Sequence, residues 1–183
     1  MRIAEIRKAT FLDASAIAFV HVRSWQAAYR GQMADEFLDG LDVEKQANMW
    51  RELAQDPDKI ILVAENIEGD IVGFSALGRS RDADAKPNTG EITAIYIHPD
   101  QWRKGIGCAL LSASLDQFRK CGFDQVTLWV LEGNQRARSF YESFGFLQDG
   151  TIKDDEYWKS LTVREVRYRL NLQPSRIRPL TPV

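Results

Sequence analysis

The sequence predicts a single α/β domain built on a mixed β-sheet, and three observations lead to this class. A chain of 183 residues is long enough to bury most of its apolar surface without disulfides or a structural metal. In the middle of the chain, short β-branched runs alternate with stretches of helical period, which is typical of strands covered by helices. Hairpin-like pairs flank this middle part, so we expect antiparallel neighbours in the same sheet.

The N-terminal part is predicted to form one strand and two helices. Residues 4–8 have a short strand pattern, and Thr10-Phe11-Leu12-Asp13 resembles a capping box that begins a helix reaching about Tyr29. A second helix is predicted over residues 43–54. It ends there because the proline in Asp56-Pro57 disfavours a continuing helix.

The rest of the chain follows strand and helix periods in turn. Residues 59–65 and 71–77 are apolar, β-branched runs joined by Ile67-Glu68-Gly69-Asp70, which is a hairpin-turn sequence. The polar stretch 79–89 is predicted to be a loop. In chain order, the later predicted elements are a strand over 91–97, a helix over 105–121, a strand over 125–131, a helix over 135–143, and the strands of a closing hairpin over 146–151 and 163–170.

The predicted domain occupies residues 1–170, and the prolines that follow predict a Pro-rich, irregular tail over 171–183. Apolar stretches are far shorter than the ~20 residues of a spanning helix, and the N-terminus lacks a leader pattern. We therefore expect a cytoplasmic protein with no membrane partner. A net charge of −2 with evenly mixed signs gives no basic face, so no nucleic-acid partner is expected. Cys108 and Cys121 are too far apart in one predicted helix to bridge, and no metal cluster is present, so no metal is expected.

A glycine-rich turn between a strand and a helix is the first candidate binding site. Residues 95–111 read as a strand, a loop with Gly105 and Gly107, and a helix. The first amides of a helix have no partners of their own and carry partial positive charge, so they can bind a phosphate. Glycines there are also compatible with a tight turn alone. A dinucleotide fingerprint is incomplete because Leu110 occupies its last small-residue position, and a P-loop is absent.

Two stretches of the chain resemble the signatures of the GNAT family of N-acetyltransferases. Residues 103–108 are similar to the part of the motif Gln/Arg-x-x-Gly-x-Gly/Ala whose amides hold the pyrophosphate of acetyl-CoA. Trp102, just before them, stands where the motif has Gln or Arg. Residues 134–146 are similar to Asn-x-x-Ala-x-x-Phe/Leu-Tyr-x-x-x-Gly-Phe. Because residues 22–31 and 165–168 also look like members of this family, the resemblance extends to about residue 170.

The resemblance implies a GNAT fold, a twisted and mostly antiparallel sheet flanked by helices. In it, the strands ending near residues 97 and 131 splay into a V that holds pantetheine like an added strand, and a bulge turns one amide toward the thioester oxygen. Acetyl-CoA is the implied acetyl donor. The implied cofactor-binding residues are the strand residues Ile95, Tyr96 and Ile97, the turn residues Arg103, Lys104, Gly105, Ile106, Gly107 and Cys108, and the helix residue Asn134, which also fits an N-cap.

The resemblance also implies two catalytic residues. Tyr141 matches the tyrosine that protonates the departing CoA thiolate, although an aromatic beside Phe140 and Phe144 also fits a core position. Glu91 stands where relatives that acetylate histones have a glutamate base, here acting through water, but it also fits an exposed strand start. His98 is another nearby proton acceptor, and His-Pro after a strand is typical of a turn.

The expected function is direct transfer of acetyl from acetyl-CoA to a primary amine of an unidentified acceptor, a small molecule or a protein. An acetyl-CoA sensor without catalysis, a protein N-terminal acetyltransferase and assembly as a homodimer stay open. Trp25 and Tyr29 line the acceptor side by family analogy or pack in the core. Acids in predicted loops either attract a cationic acceptor or are solvated: Asp82, Asp84, Asp154, Asp155 and Glu156.

Overall fold

The computed structural model describes residues 5–158 and 161–172 of the chain. Its strands are β1 (Glu5–Lys8), β2 (Ile60–Glu65), β3 (Ile71–Arg79), β4 (Thr89–Ile97), β5 (Gln125–Leu131), β6 (Leu147–Trp158) and β7 (Leu161–Asn171). Its helices are α1 (Ala14–Ala28), α2 (Asp35–Asp39), α3 (Val43–Gln55), α4 (Ile106–Lys120) and α5 (Gln135–Ser143). The described strands form a seven-stranded sheet in the order β1-β2-β3-β4-β5-β7-β6.

The sheet is mixed, as predicted. Strands β4 and β5 are parallel and are joined through α4, whereas the other described pairs are antiparallel. Two hydrophobic layers cover its faces. Side chains of α4 and α5, such as Leu110, Leu111 and Tyr141, pack with alternate residues of the strands on one face. Ile17 and Trp50, from α1 and α3, pack on the other face. The predicted α/β class with a mostly antiparallel sheet is therefore confirmed.

Local signals define most of the element ends. Thr10 donates its amide to the Asp13 carboxylate, at 2.7 Å, in the predicted capping box before α1. Asp42 caps α3 by accepting from the amides of Glu44 and Lys45. The five-residue helix α2 was not predicted, because one turn is too short to show a helical period. The predicted loop 79–89 connects β3, which ends at Arg79, to β4, which begins at Thr89.

Strand β6 corrects the prediction that Asp154, Asp155 and Glu156 lie in a loop. Residues 147–158 form one long strand paired with β7. Its charged residues are compatible with a strand because they face charges across the pair: Arg164 bonds Asp154 at 3.0 Å, and Lys153 lies 3.0 Å from Glu165. At the chain end, β7 continues to Asn171 and the buried Leu172 donates its amide to the Asp124 carbonyl. Residues 173–183 of the predicted tail lie outside the described residues.

The sheet opens between β4 and β5. Their pairing runs from Thr89 opposite Gln125 to Ile92 opposite Leu128, and the second halves of the two strands have no pairing with each other. The opening coincides with a bulge in β4, because Ala94 pairs with Ala76 and Ile92 with Leu77, which leaves Thr93 as an extra residue. The candidate active site lies in this opening.

Candidate active site

A cavity of about 1210 Å³ opens where β4 and β5 diverge. Its walls come from α1, the second half of β4, the loop before α4, the end of β5 and the first turns of α4 and α5. The residues predicted for cofactor binding that line it are Ile95, Tyr96, Ile97, Arg103, Gly105, Gly107, Cys108 and Asn134. Glu91, Tyr141, Trp25 and Tyr29 line the same cavity, whereas the side chains of Lys104, Ile106 and His98 are not part of its wall. Most of the residues predicted for cofactor binding, for catalysis and for the acceptor side therefore share one cleft.

The open edge of β4 presents main-chain groups to this cleft. The His98 amide donates to the Val72 carbonyl, at 2.8 Å, which fixes the hydrogen-bonding register between β4 and β3. By the alternation of an antiparallel pair, the main-chain groups of Ile95 and Ile97 point away from β3 and into the gap. The Ile97 carbonyl already accepts from Ser24 Oγ, at 2.8 Å, and from Trp102 Nε1, at 2.7 Å. The groups left for an added amide chain are therefore both groups of Ile95 and the amide of Ile97.

The glycine-rich turn forms a row of unpaired amides. Within the described chain, the backbone amides from Arg103 to Cys108 donate no hydrogen bond, and the first helical bond is from Ala109 to the Gly105 carbonyl, at 3.0 Å. The turn is reached through left-handed conformations, with φ of 63° at Arg103 and 83° at Gly105. A fifteen-residue helix follows, so its dipole adds positive potential at the same place. The row is suited to bind a phosphate or pyrophosphate.

Tyr141 and Asn134 lie on α5, which forms the opposite wall. Asn134 is the N-cap, and its Oδ1 accepts from the Ala137 amide at 3.1 Å, so the predicted cap is confirmed. Tyr141 is 8% exposed and lines the cleft, with its ring 6.0 Å from that of Phe146. Its hydroxyl makes no hydrogen bond to any described residue. Burial raises the pKa of this phenol above its ordinary value near 10, so it stays protonated at neutral pH.

Glu91 is buried and held by an arginine. Arg81 donates to it three times: its backbone amide at 3.0 Å and its Nε at 3.1 Å to Oε2, and its Nη2 at 2.6 Å to Oε1. The predicted exposed strand start is wrong, because the Glu91 side chain is only 3% exposed. A carboxylate has about four acceptor directions, so one on Oε1 is still open to a water. Its predicted role as a base stays a prediction.

His98 takes the predicted turn role. Its Nδ1 accepts from the Asp100 amide at 3.4 Å and caps a short 3₁₀ turn, while its ring stacks on Phe19 with centroids 5.6 Å apart. Both contacts lie outside the cleft wall, so this imidazole is not brought to the reacting groups.

Aromatic side chains line the part of the cleft that was predicted to be the acceptor side. Trp25 and Tyr29 contact each other with centroids 5.1 Å apart, and the hydroxyls of Tyr29 and Tyr96 lie 3.4 Å apart. Beneath them, His21 stacks on Tyr96 at 5.1 Å and its Nδ1 accepts from Trp50 Nε1. Burial lowers the pKa of His21 to about 4, so this imidazole is neutral at physiological pH. This end of the cleft is therefore lined by aromatic side chains and a neutral imidazole.

Most of the acids expected near the acceptor are used in ion pairs. Arg167, with its side chain 3% exposed, bonds Asp84 at 2.6 Å and Asp82 at 3.1 Å. Asp155 bonds Lys153 at 2.8 Å and reaches the cleft wall, whereas Asp82, Asp84 and Asp154 do not. The side chain of Glu156 lies outside the described residues. In the described ranges no group of three or more His, Cys, Asp or Glu is placed to hold a metal, and no helix there is long and apolar enough to span a membrane.

The comparisons with known proteins identify the family of the chain. The model of the acetyltransferase (GNAT) family matches residues 21–146. The chain belongs to the GNAT family. It is 30% identical over 139 residues to YuaI of Bacillus subtilis, which is named an uncharacterised N-acetyltransferase, with 76% of this chain and 78% of that protein covered. It is 33% identical to the L-amino acid N-acyltransferase MnaT of Escherichia coli over 87 residues, about half of each chain.

Solved structures show the same fold. The PaiA N-acetyltransferase of Thermoplasma acidophilum, solved with coenzyme A, has a TM-score of 0.70 and 24% identity, covering 94% of this chain and 100% of that one. YncA of Salmonella typhimurium, a structure with acetyl-CoA, has a TM-score of 0.70 and 23% identity, covering 94% and 95%. This protein is therefore an N-acetyltransferase with the GNAT fold.

Two contacts of this GNAT site were not predicted from the sequence. One is the Arg81–Glu91 ion pair, and the other is the stacking of the Arg136 guanidinium on Trp102, 4.0 Å from the ring centroid. The partners are 10 and 34 residues apart and meet only after the loops fold, so no local pattern identifies them. The one available signal was Trp102 itself, which departs from the GNAT motif where a side-chain donor is usual.

Proposed function

We propose that this GNAT enzyme transfers the acetyl group of acetyl-CoA directly to a primary amine. The observation that carries the proposal is the cleft between β4 and β5, which is lined by an open strand edge, the turn with its row of free amides and Tyr141. The amides of residues 103–108 would bind the pyrophosphate, and the open groups of Ile95 and Ile97 would pair with pantetheine. The thioester would then lie between the bulge at Thr93 and the phenol.

The groups in the cleft match the steps of direct transfer. The neutral amine attacks the thioester carbon, forming a C–N bond, and an amide near the bulge stabilises the oxyanion. The C–S bond then breaks, and Tyr141 gives its proton to the thiolate. The proton lost by the amine leaves through water, for which Glu91 stays the predicted acceptor. This sequence requires no acyl-enzyme, in accord with the exposed, unpartnered position of Cys108 in the described structure.

One cation in the cleft bears on the acceptor. The Arg81 side chain is 65% exposed, its Nη1 makes no hydrogen bond within the described residues, and its orientation is fixed by Glu91. A fixed guanidinium edge is suited to bind a carboxylate. The relative MnaT is named an L-amino acid N-acyltransferase. Amines that carry a carboxylate are therefore the first acceptors to test.

The test is acetyl-CoA turnover with a panel of amines in matched pairs that differ only in a carboxylate, together with peptides that have free N-termini. Free thiol is measured with a thiol reagent, and the acetylated product is identified by mass spectrometry. Thiol release that depends on an amine supports the proposal. Acetyl-CoA binding without thiol release for any amine would contradict it and favour a sensor. A preference for peptides would favour the protein N-terminal acetyltransferase.

A further inference from the structure

The Arg136–Trp102 pair joins the two walls of the cleft at the end where the row of free amides lies. Trp102 belongs to the loop before α4, and Arg136 belongs to the first turn of α5. The guanidinium carbon lies 4.0 Å from the Trp102 ring centroid, and both residues line the cavity together with Arg103, Gly105 and Gly107. A cation is thus fixed beside the amides from residue 103 to residue 108.

The Trp102 ring is a rigid platform. Its Nε1 donates to the Ile97 carbonyl at 2.7 Å, and its backbone amide donates to the Pro99 carbonyl at 3.1 Å. A guanidinium over an aromatic ring is held by a cation–π contact, which uses none of its N–H groups as hydrogen-bond donors. The contact with Trp102 therefore holds Arg136 without occupying its donors.

Nothing else in the described protein compensates the charge of Arg136. It makes no ion pair and no hydrogen bond with any described residue, unlike Arg138 on the same helix, which bonds Tyr168, Gln148 and the Glu132 carbonyl. A cation in the first turn of a helix is also opposed by the helix dipole. An oriented, uncompensated cation beside free amides is the arrangement expected for an anion that is bound from outside.

Other cations near the turn are less suited to this task. Lys104 donates its Nζ to Gln101 Oε1 at 3.1 Å and its side chain is not part of the cavity wall. Arg103 is exposed, as Arg136 is, but it has a left-handed conformation and no aromatic partner among the described residues. Of these three, Arg136 is the one that both lines the cavity and lies over an aromatic ring.

We propose that Arg136, held on Trp102, binds the pyrophosphate of CoA and supplies the side-chain donor that the GNAT motif usually carries at the position of Trp102. The proposal rests on acetyl-CoA being the donor, as proposed above. The pyrophosphate is chosen because the free amides and the stacked cation lie at the same end of the cleft, and both favour a group with negative charge.

The test is calorimetric titration of wild type and Arg136→Gln with CoA, with dephospho-CoA, which keeps the pyrophosphate but lacks the 3′-phosphate, and with pantetheine, which lacks both. We expect Arg136→Gln to weaken CoA and dephospho-CoA about tenfold, as is typical for loss of a charged hydrogen bond, and to leave pantetheine unchanged. Arg136→Lys, which keeps the charge without the planar donor, should recover part of the loss. The matched control is Arg23→Gln on the exposed face of α1, outside the cavity, which should bind like wild type.

A double-variant cycle with Trp102→Leu tests the platform. If Trp102 acts by orienting Arg136, the loss in the double variant is smaller than the product of the two single losses. Unchanged CoA affinity in Arg136→Gln, a loss confined to CoA and absent with dephospho-CoA, or an equal loss with pantetheine would each overturn the proposal. If the wild type does not bind CoA at all, the proposed function fails instead, so the two failures are distinguishable.

Discussion

Tyr141 has two possible roles, general acid and core residue, and its hydroxyl group is needed for the first role alone. The ring packs among apolar neighbours, but the hydroxyl has no hydrogen-bond partner in the described residues and the side chain lines the cleft, which a purely structural role does not require. We expect Tyr141→Phe to bind acetyl-CoA nearly as wild type does, because the ring is kept. Its kcat should fall at least tenfold where chemistry limits the rate, since a general acid typically contributes about 10²–10⁴-fold.

The same variant controls for folding. Removing a buried hydroxyl without a partner does not destabilise a protein through a lost hydrogen bond, so the free energy of unfolding should not fall. Wild-type turnover in a stable Tyr141→Phe enzyme, with chemistry shown to limit the rate, would remove Tyr141 from the mechanism.

His21 is expected to make stability depend on pH. Its pKa is lowered by burial to about 4 in the folded protein, from a usual value of 6.5. Between these values the unfolded chain binds a proton that the folded chain does not. The contribution is therefore fully present above pH 6.5 and is lost as the pH falls to about 4, by up to about 3 kcal/mol.

The measurement is urea unfolding of wild type and His21→Phe at several pH values from 4 to 7. Phenylalanine has no titrating group, so the fall in stability should be smaller in the variant by the amount assigned to His21. His98→Asn, in which asparagine keeps an acceptor for the Asp100 amide, is measured alongside as the matched control. Equal pH dependence in wild type and His21→Phe would contradict the assignment.

Among single residues, those whose role depends on nearby sequence were predicted, and those whose role depends on distant contacts were not. The capping function of Asn134 follows from its place before a helical period. The burial of Glu91 by Arg81, the use of Asp82 and Asp84 by Arg167, and the stacking of Arg136 depend on side chains brought together by the fold. Charge and residue type alone do not identify such partners.

At the scale of elements, the turn into α4 contains two glycines, Gly105 and Gly107, whose surroundings differ. Gly105 has a φ of 83°, and a Cβ there would meet no other atom within 4 Å, so a side chain would strain the backbone and project into the open cleft. Gly107 is helical, and a Cβ there would lie 3.4 Å from Ile97 Cδ1 and 3.6 Å from Phe140 Cζ, which are ordinary contacts. Backbone conformation therefore accounts for the first glycine, whereas neither conformation nor a close contact accounts for the second, whose role in admitting a ligand is left to test.

Three variants separate these effects. Gly105→Ala should lower the free energy of unfolding by about 1 kcal/mol because of its left-handed backbone. Gly107→Ala should not lower it, since alanine favours a helix over glycine. Gly107→Val adds bulk between Ile97 and Phe140 and should weaken CoA binding at least tenfold in calorimetry. Unchanged CoA affinity in a folded Gly107→Val protein would contradict the assignment of this turn to CoA.

Periodicity predicted the elements well where they were long and one face was buried. Strand β5 and helix α5 have the bounds that their patterns indicated, because each has a clear apolar face. Helix α2 is too short to show a period, and the second half of β6 carries charges whose partners lie on β7 as well as on β6 itself. The divergence of β4 and β5 followed from the family resemblance and not from any local signal.

For the whole molecule, Arg167 links distant parts of the chain. It bonds Asp82 and Asp84 of the loop after β3 and Asp149 of β6 from a position in β7. Its hydrogen bonds lower the pKa of the Asp84 carboxyl to about 2, so this network is charged at neutral pH. The loop that Arg167 holds in place also contains Arg81, which bonds Glu91 in the cleft. The cluster therefore contributes to the stability of the fold and to the position of a cleft residue.

Arg167→Met should lower the free energy of unfolding by about 3 kcal/mol, because it leaves several acids without their buried cation. The matched control is Arg164→Met in the same strand, where the arginine is exposed and pairs with Asp154 at the surface. That change should lower the free energy of unfolding by much less, because exposed ion pairs contribute little. Urea unfolding measures both, and equal losses in the two variants would contradict a special role for the Arg167 cluster.

Strand β4 lies inside the sheet, but its second half has no described strand paired on the side of β5. Along this half, β4 therefore behaves like an edge strand. Along β4, the amides of Ala94 and Tyr96 lie in the ladder with β3, whereas those of Ile95 and Ile97 face the gap. In the ligand-free protein, amide hydrogen exchange should alternate residue by residue, slow at 94 and 96 and fast at 95 and 97, at the centre of the sheet. A ligand that completes the ladder would remove this alternation, so exchange at two amides reports occupancy of the cleft without any acceptor being known.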